Sequence, residues 1–156
     1  MKRLLVFGAG FSAKACALRA APLFDRVTGT TRSAAKAAVL SREGIEPLVF
    51  DGKLTDDVAL AIAAASHVLV SVAPDADGDP VLNACRQTLA ASPSLNWICY
   101  LSTVGVYGDH DGGWVSEESV CHPVSDRSVE RVAAEKAWQE LADSVGVPLA
   151  IFRLSG

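Results

Sequence analysis

No apolar run in this chain approaches the roughly 20 residues needed to cross a bilayer, so no membrane association is expected. A basic excess is missing too. Fourteen Lys and Arg stand against eighteen Asp and Glu, a formal charge of -4. A duplex binder needs a basic face to displace counterions, so nucleic acid is not an expected partner. The charge is also too small to single out a cationic partner. C-x-x-C pairs are absent: Cys16, Cys85, Cys99 and Cys121 are scattered, and none clusters with histidine. That pattern fits reduced core cysteines of a cytoplasmic protein better than a disulfide framework or a zinc site. Internal repeats and low-complexity tails are lacking as well.

At 156 residues the chain suits one domain with a real core and is too short for two. The opening Met1-Lys2-Arg3-Leu4-Leu5-Val6-Phe7 looks superficially like a signal peptide, with Ala13-Lys14-Ala15 as a mock cleavage site. Gly8-Ala9-Gly10 breaks that apolar stretch, and Lys14 stands where small residues belong, so it reads as a buried first strand.

Short apolar runs then alternate with Ala-rich amphipathic stretches. Strands are expected over 3–7, 26–30, 46–50, 67–72, 97–101 and 148–152, and helices over 12–20, 33–41, 55–65, 80–91 and 126–145. Ser33, Thr55 and Asp126 are the expected N-caps. The strands are mostly continuous apolar or β-branched runs, as strands covered on both faces are. Repeated strand-helix-strand order implies parallel pairing with right-handed crossovers. The expected fold is therefore α/β, a Rossmann-type doubly wound parallel sheet with helices on both faces. From Thr103 to Ser125 the periodicity lapses into Gly, Asp, Ser and Pro. A loop that long is usually functional, and it follows a strand's carboxyl end, where such sheets place ligands.

Gly8-Ala9-Gly10-Phe11-Ser12-Ala13 reads G-x-G-x-x-A directly after the first strand. Gly8 permits a tight turn, Gly10 lets backbone amides approach a pyrophosphate, and Ala13 keeps helix and strand close. NAD-binding units usually place Asp or Glu after the second strand to accept from the ribose 2′-hydroxyl. Thr30-Thr31-Arg32-Ser33 stands there instead, and a guanidinium can pair bidentately with a 2′-phosphate. NADP(H) is the expected cofactor, with NAD(H) as the alternative.

The glycine loop, Gly29-Thr30-Thr31-Arg32, Ser71-Val72-Ala73-Pro74 and Leu101-Ser102-Thr103-Val104-Gly105-Val106-Tyr107-Gly108 together resemble the short-chain dehydrogenase/reductase superfamily, in its extended, NAD-dependent epimerase/dehydratase-like branch. The resemblance covers essentially the whole chain. It implies cofactor contacts from Gly8, Gly10, Phe11, Ser12, Ala13, Thr31, Arg32, Asp51, Ala73 and Pro74, with Asp51 at the adenine. It also implies a polar catalytic contact from Thr103, with Ser102 beside it. Typical members add a Tyr-x-x-x-Lys pair on the next helix. Arg127 and Arg131 hold those positions here, and arginine cannot donate or accept a proton near neutral pH. The chain thus resembles an atypical member. Tyr107 is a candidate to replace the missing acid, although packing the loop is its more ordinary role.

Arg127 and Arg131 share one helical face. They could clamp an anion, or pair with Glu130, Glu135 or a loop carboxylate. Asp109-His110-Asp111 invites a metal reading, but successive residues of a glycine-flanked loop rarely converge on one ion, and no metal site is expected. His67 and His122 read as ordinary strand-edge and loop residues. Ile151-Phe152-Arg153-Leu154-Ser155-Gly156 resembles the superfamily's sixth strand, after which typical members continue into a substrate-binding domain. Residues 1–156 therefore read as a dinucleotide-binding domain with the substrate domain largely absent. The resemblance implies an oxidoreductase on a small carbonyl or nucleotide-sugar-like substrate; the rival expectation is a non-catalytic NADP(H)-binding sensor or scaffold. A homodimer through helices 80–91 and 126–145 is expected by resemblance, unless the apolar stripe of the second helix only covers the sheet.

Overall fold

A computed structural model describes residues 1–155. Strand β1 (Arg3–Phe7) enters the centre of a six-stranded parallel sheet. The other strands are β2 (Arg26–Thr31), β3 (Glu46–Val49), β4 (His67–Val70), β5 (Trp97–Thr103) and β6 (Leu149–Leu154), in the spatial order β3-β2-β1-β4-β5-β6. This is the strand order of the dinucleotide-binding doubly wound fold, with its switch point between β1 and β4.

Successive strand side chains point to opposite faces, which explains why β1 is apolar at every central position. Leu5 and Phe7 enter one core cluster; Leu4 and Val6 enter the other. The first cluster is roofed by α3 (Asp56–Ala64), α4 (Pro80–Ala90) and α5 (Asp126–Val145), through Val58, Ile62, Leu89, Trp138 and Leu141. The second is roofed by α1 (Phe11–Ala20) and α2 (Ala34–Arg42), through Ala13, Ala17 and Leu40. Each large apolar side chain so buried contributes about 1.5–3 kcal/mol. Of the apolar stripe expected on α5 (Val129, Val132, Ala133, Ala137, Trp138, Leu141 and Val145), Trp138 and Leu141 are buried against the sheet, Val132, Ala137 and Val145 are partly buried, and Val129 and Ala133 are exposed; Ala134 and Ala142 complete the buried face. Edge strand β3 has four residues and contains Pro47, which lacks a donor for further pairing.

Helix starts follow local chemistry. Ser33 and Thr55 cap α2 and α3 by accepting from the amides of Lys36 and Val58. At α5 the cap is Ser125, not Asp126: the Ser125 hydroxyl accepts from Ser128 N–H, and Asp126 is the first helical residue, where its charge suits the helix dipole. Asp79 caps α4, accepting from Val81 and Leu82. Gly146, at φ 68°, ends α5 in the left-handed conformation. Strand β5 runs two residues past the expected end because Ser102 and Thr103 pair with Arg153 and Leu154. The Thr103 hydroxyl then accepts from Gly105 N–H and starts one 3-10 turn, Val104–Tyr107. Of the cysteines, Cys85 and Cys99 are core residues, but Cys16 is exposed and Cys121 partly so, and all four are unbridged. Gly156 lies outside the described residues.

Candidate dinucleotide-binding groove

Gly8 leaves β1 at φ 80°, and a Cβ there would lie 3.0 Å from Val72 Cγ2 and 3.1 Å from Val72 N. The turn is pinned to β2: Gly8 N–H donates to Thr30 Oγ1 at 2.8 Å, and Ala9 N–H donates to Thr30 O at 2.9 Å. A Cβ on Gly29 would come within 2.8 Å of Ile45 and 3.0 Å of Ala9, so glycine is needed there to admit the loop. Lys14 N–H makes the first intrahelical bond of α1, to Gly10 O, at 2.8 Å. The amides of Phe11, Ser12 and Ala13 are therefore the first-turn donors that a helix leaves for an outside acceptor. Phe11 and Ser12 are exposed at this rim; Ala13 is fully buried against the sheet.

A groove of about 830 Å³ opens over this loop. Gly8, Gly10, Thr31, Arg32, Asp51 and Ala73 line it, joined by Ser33, Lys36, Asp75, Asp77 and Asn83. Pro74 adjoins Ala73 and is partly buried. The sequence reading missed Lys36, which carries no motif and is recognisable only once α2 is placed against the glycine loop. A smaller groove of about 390 Å³, lined by Arg3, Glu46 and Leu60 among others, lies at the amino ends of β1–β3, away from the glycine loop.

Thr103, Ser102 and Tyr107 lie at the carboxyl end of β5, outside the groove lining. Thr103 is partly buried and its oxygen accepts from Gly105 N–H at 3.1 Å. Ser102 is buried and donates to Glu135, which takes a bidentate pair of bonds from Arg153 at 3.2 and 2.8 Å. Arg153 also donates to the Tyr107 hydroxyl at 2.9 Å. The Glu135 hydrogen bond is the main cause that raises the Arg153 pKa above its ordinary value, with burial opposing it. Tyr107 is 5% exposed, so its phenol sits inside this cluster and not on an open surface.

Arg131 does not pair with Glu130 or Glu135. It reaches down to β5, donating to the Tyr100 hydroxyl at 3.1 Å and to Leu101 O at 3.2 Å. Burial pushes the Tyr100 phenol up to about 12, with the Arg131 charge opposing. Next to them Asp79 accepts from Trp138 Nε1–H at 3.0 Å; burial raises its carboxyl above the ordinary value, against the Trp138 and backbone hydrogen bonds. Arg127 is exposed on the first turn of α5. Among the described residues no three metal-ligating side chains converge, and no helix is long and apolar enough to cross a membrane.

Comparison with known proteins places this geometry. No protein-family model matches the chain, and no curated protein does. Solved structures match throughout its length. A functionally unknown conserved protein from Silicibacter pomeroyi is 38% identical, with a TM-score of 0.87, covering 100% of this chain and 53% of that one. UDP-glucuronic acid 4-epimerase from Bacillus cereus, in complex with NAD, is 22% identical, with a TM-score of 0.74 over 98% of this chain and 56% of its own. A short-chain dehydrogenase/reductase superfamily protein from Agrobacterium tumefaciens, with bound NAD, is 18% identical, with a TM-score of 0.75 over 97% of this chain and 48% of its own. The fold is the one these NAD-carrying proteins share. The chain spans about half the length of the structures it matches.

Proposed function

We propose that the groove binds a nicotinamide dinucleotide and prefers NADP(H). The carrying observation is the glycine turn at Gly8, locked to Thr30 and opening onto free first-turn amides of α1. Those amides and the helix dipole suit a pyrophosphate. Asp51 and Ala73 line the groove and would flank the adenosine, and Arg32 lines it at the end of β2, where no carboxylate stands to accept from a 2′-hydroxyl. The NAD carried by the epimerase and the reductase superfamily protein supports the dinucleotide part of this reading. The NADP preference rests on Arg32 alone among the sequence motifs.

A bound nicotinamide would supply or take a hydride, from or to a small carbonyl or a nucleotide-sugar-like substrate. Thr103 would be the polar contact, its hydroxyl donating a hydrogen bond to the substrate oxygen while its own oxygen accepts from Gly105 N–H. Ser102 would act as a positioning residue through Glu135. NADPH consumption over a panel of carbonyls tests turnover, and activity retained by Thr103→Ala would remove Thr103 from this role.

A second reading, a non-catalytic NADP(H) sensor or scaffold, is favoured by Arg131. Its guanidinium is spent on Tyr100 and Leu101, and neither it nor Arg127 can transfer a proton. Binding of NADPH without any oxidation of it over the same panel would support this second reading.

A further inference from the structure

We infer that Ser128 is a second hydroxyl donor of the substrate site, sharing with Thr103 an oxygen-sized notch over Gly105 that takes a carbonyl or oxyanion oxygen. The inference rests on the carbonyl reading of Thr103 above and adds a residue to it. Gly105 lies in the 3-10 turn after β5 and is exposed. No atom comes closer than 3.3 Å to the point that a Cβ would occupy there. Its nearest neighbours are Ser128 Oγ at 3.3 Å, Thr103 Oγ1 at 3.5 Å and Thr103 Cγ2 at 3.7 Å. An acceptor atom at that point therefore lies within 3.5 Å of two hydroxyl oxygens at once. Contacts of this kind are often long before a substrate arrives and tighten on it.

The hydrogen bonds around the notch leave both hydroxyls one task. Thr103 Oγ1 accepts from Gly105 N–H at 3.1 Å, and Ser128 Oγ accepts from the Ser125 hydroxyl at 2.9 Å. Among the described residues neither has an acceptor for its own proton. Each hydroxyl carries one donor, so the notch offers two O–H groups and selects an acceptor over an ammonium. Ser128 is 9% exposed, and a buried donor is costly to leave without a partner. The two hydroxyls come from β5 and from the first turn of α5, elements that pack on one core, so they are held in place before charge develops on the substrate oxygen. Strand β5 neighbours β4, and Ser71, Val72 and Ala73, which follow β4, line the dinucleotide groove. Neighbouring strands lie about 4.8 Å apart, so the notch stands beside the groove.

The test compares the intact chain with Ser128→Ala, Thr103→Ala and Gly105→Ala. The backbone of Gly105 is outside the left-handed region, so alanine fills the notch without backbone strain. Ser128→Ala keeps the bond from Ser128 N–H to Ser125 Oγ, and the start of α5 with it. With NADPH and a panel of small carbonyls, Ser128→Ala is expected to lower kcat about a hundredfold, as loss of one oxyanion donor does, and Gly105→Ala to remove turnover. Calorimetric NADPH affinity should stay within about twofold in all three variants. A second readout needs no turnover. The Gly105 amide, bonded to the Thr103 oxygen, should shift saturably in heteronuclear NMR when the intact chain is titrated with acetamide, and should not shift in Ser128→Ala. An unchanged kcat in Ser128→Ala, or an amide shift that survives it, would overturn the role of Ser128 and leave Thr103 standing. NADPH binding with neither turnover nor amide shift in the intact chain would overturn the carbonyl reading and the notch together. An amide shift that depends on Ser128 in a chain that binds no NADPH would uphold the notch and remove the dinucleotide reading.

Discussion

The amide of Gly8 donates to the side-chain oxygen of Thr30 at 2.8 Å, so the phosphate turn after β1 is fastened to the strand beside it. Thr30 is 2% exposed, and its backbone oxygen holds Ala9 as well. One residue thereby orients two consecutive amides of the turn. Thr30→Val keeps the shape and removes the acceptor. It should cost about 0.5–1.5 kcal/mol, because the part-buried Gly8 amide loses its partner, and it should weaken dinucleotide binding while leaving the fold intact. Chemical denaturation alongside a binding titration checks both; undiminished stability and affinity would mean that the turn needs no such fastening.

Much of this was legible in the sequence. Residues Leu4 to Phe7 serve two cores at once, which is why the run is wholly apolar and reads as a buried strand from sequence; its central place in the sheet is seen only in the strand order. G-x-G-x-x-A marked the turn because it followed that run directly. Asp126 was misassigned as a cap because Ser125 and Asp126 are both good caps, and only the backbone decides which residue is extended. Lys36 and the Asp79–Trp138 bond were invisible for another reason. Lys36 carries no motif of its own, and the bond joins two helices that only the sheet brings together, Asp79 lying 59 residues from Trp138.

Trp138 joins α5 to the cap of α4 through Asp79. Trp138→Phe retains most of the ring packing but leaves one oxygen of a buried carboxylate unpaired. A loss of about 1–3 kcal/mol is expected, read as a lower melting temperature. A melting temperature equal to that of the parent chain would show that water or another donor already satisfies Asp79.

Arg153 neutralises the buried carboxylate of Glu135. Arg153→Leu should therefore be far more damaging than Ser102→Ala. Uncompensated burial of a charge costs about 3–5 kcal/mol, against about 1 kcal/mol for one neutral donor. Denaturant midpoints for the two variants measure the contrast, and equal losses would contradict the assignment of Arg153 as the main partner.

His67 sits at the start of β4, with its Nδ1 2.9 Å from Ser66 Oγ and its ring between Phe24 and Trp97. Burial, and then the Lys2 charge, lower its pKa from 6.5. The unfolded chain thus takes up this proton before the folded one does. Stability should be insensitive to this group above about pH 6.5 and should fall as the pH drops below it, until the folded imidazole is also protonated. Melting temperatures from about pH 7.5 to about pH 5.5 should decline less steeply in His67→Gln. Identical slopes would exclude His67 as the source. Asp79, with its raised pKa, works in the opposite direction: its contribution falls as the pH rises through the window above 3.8.

The most direct measurement is calorimetric titration of the purified chain with NADPH and, separately, NADH. The expected result is saturable binding at one site, tighter for NADPH, with the difference reduced by Arg32→Ala. No heat from either dinucleotide, in a chain whose thermal unfolding confirms that it is folded, would contradict the account at its centre.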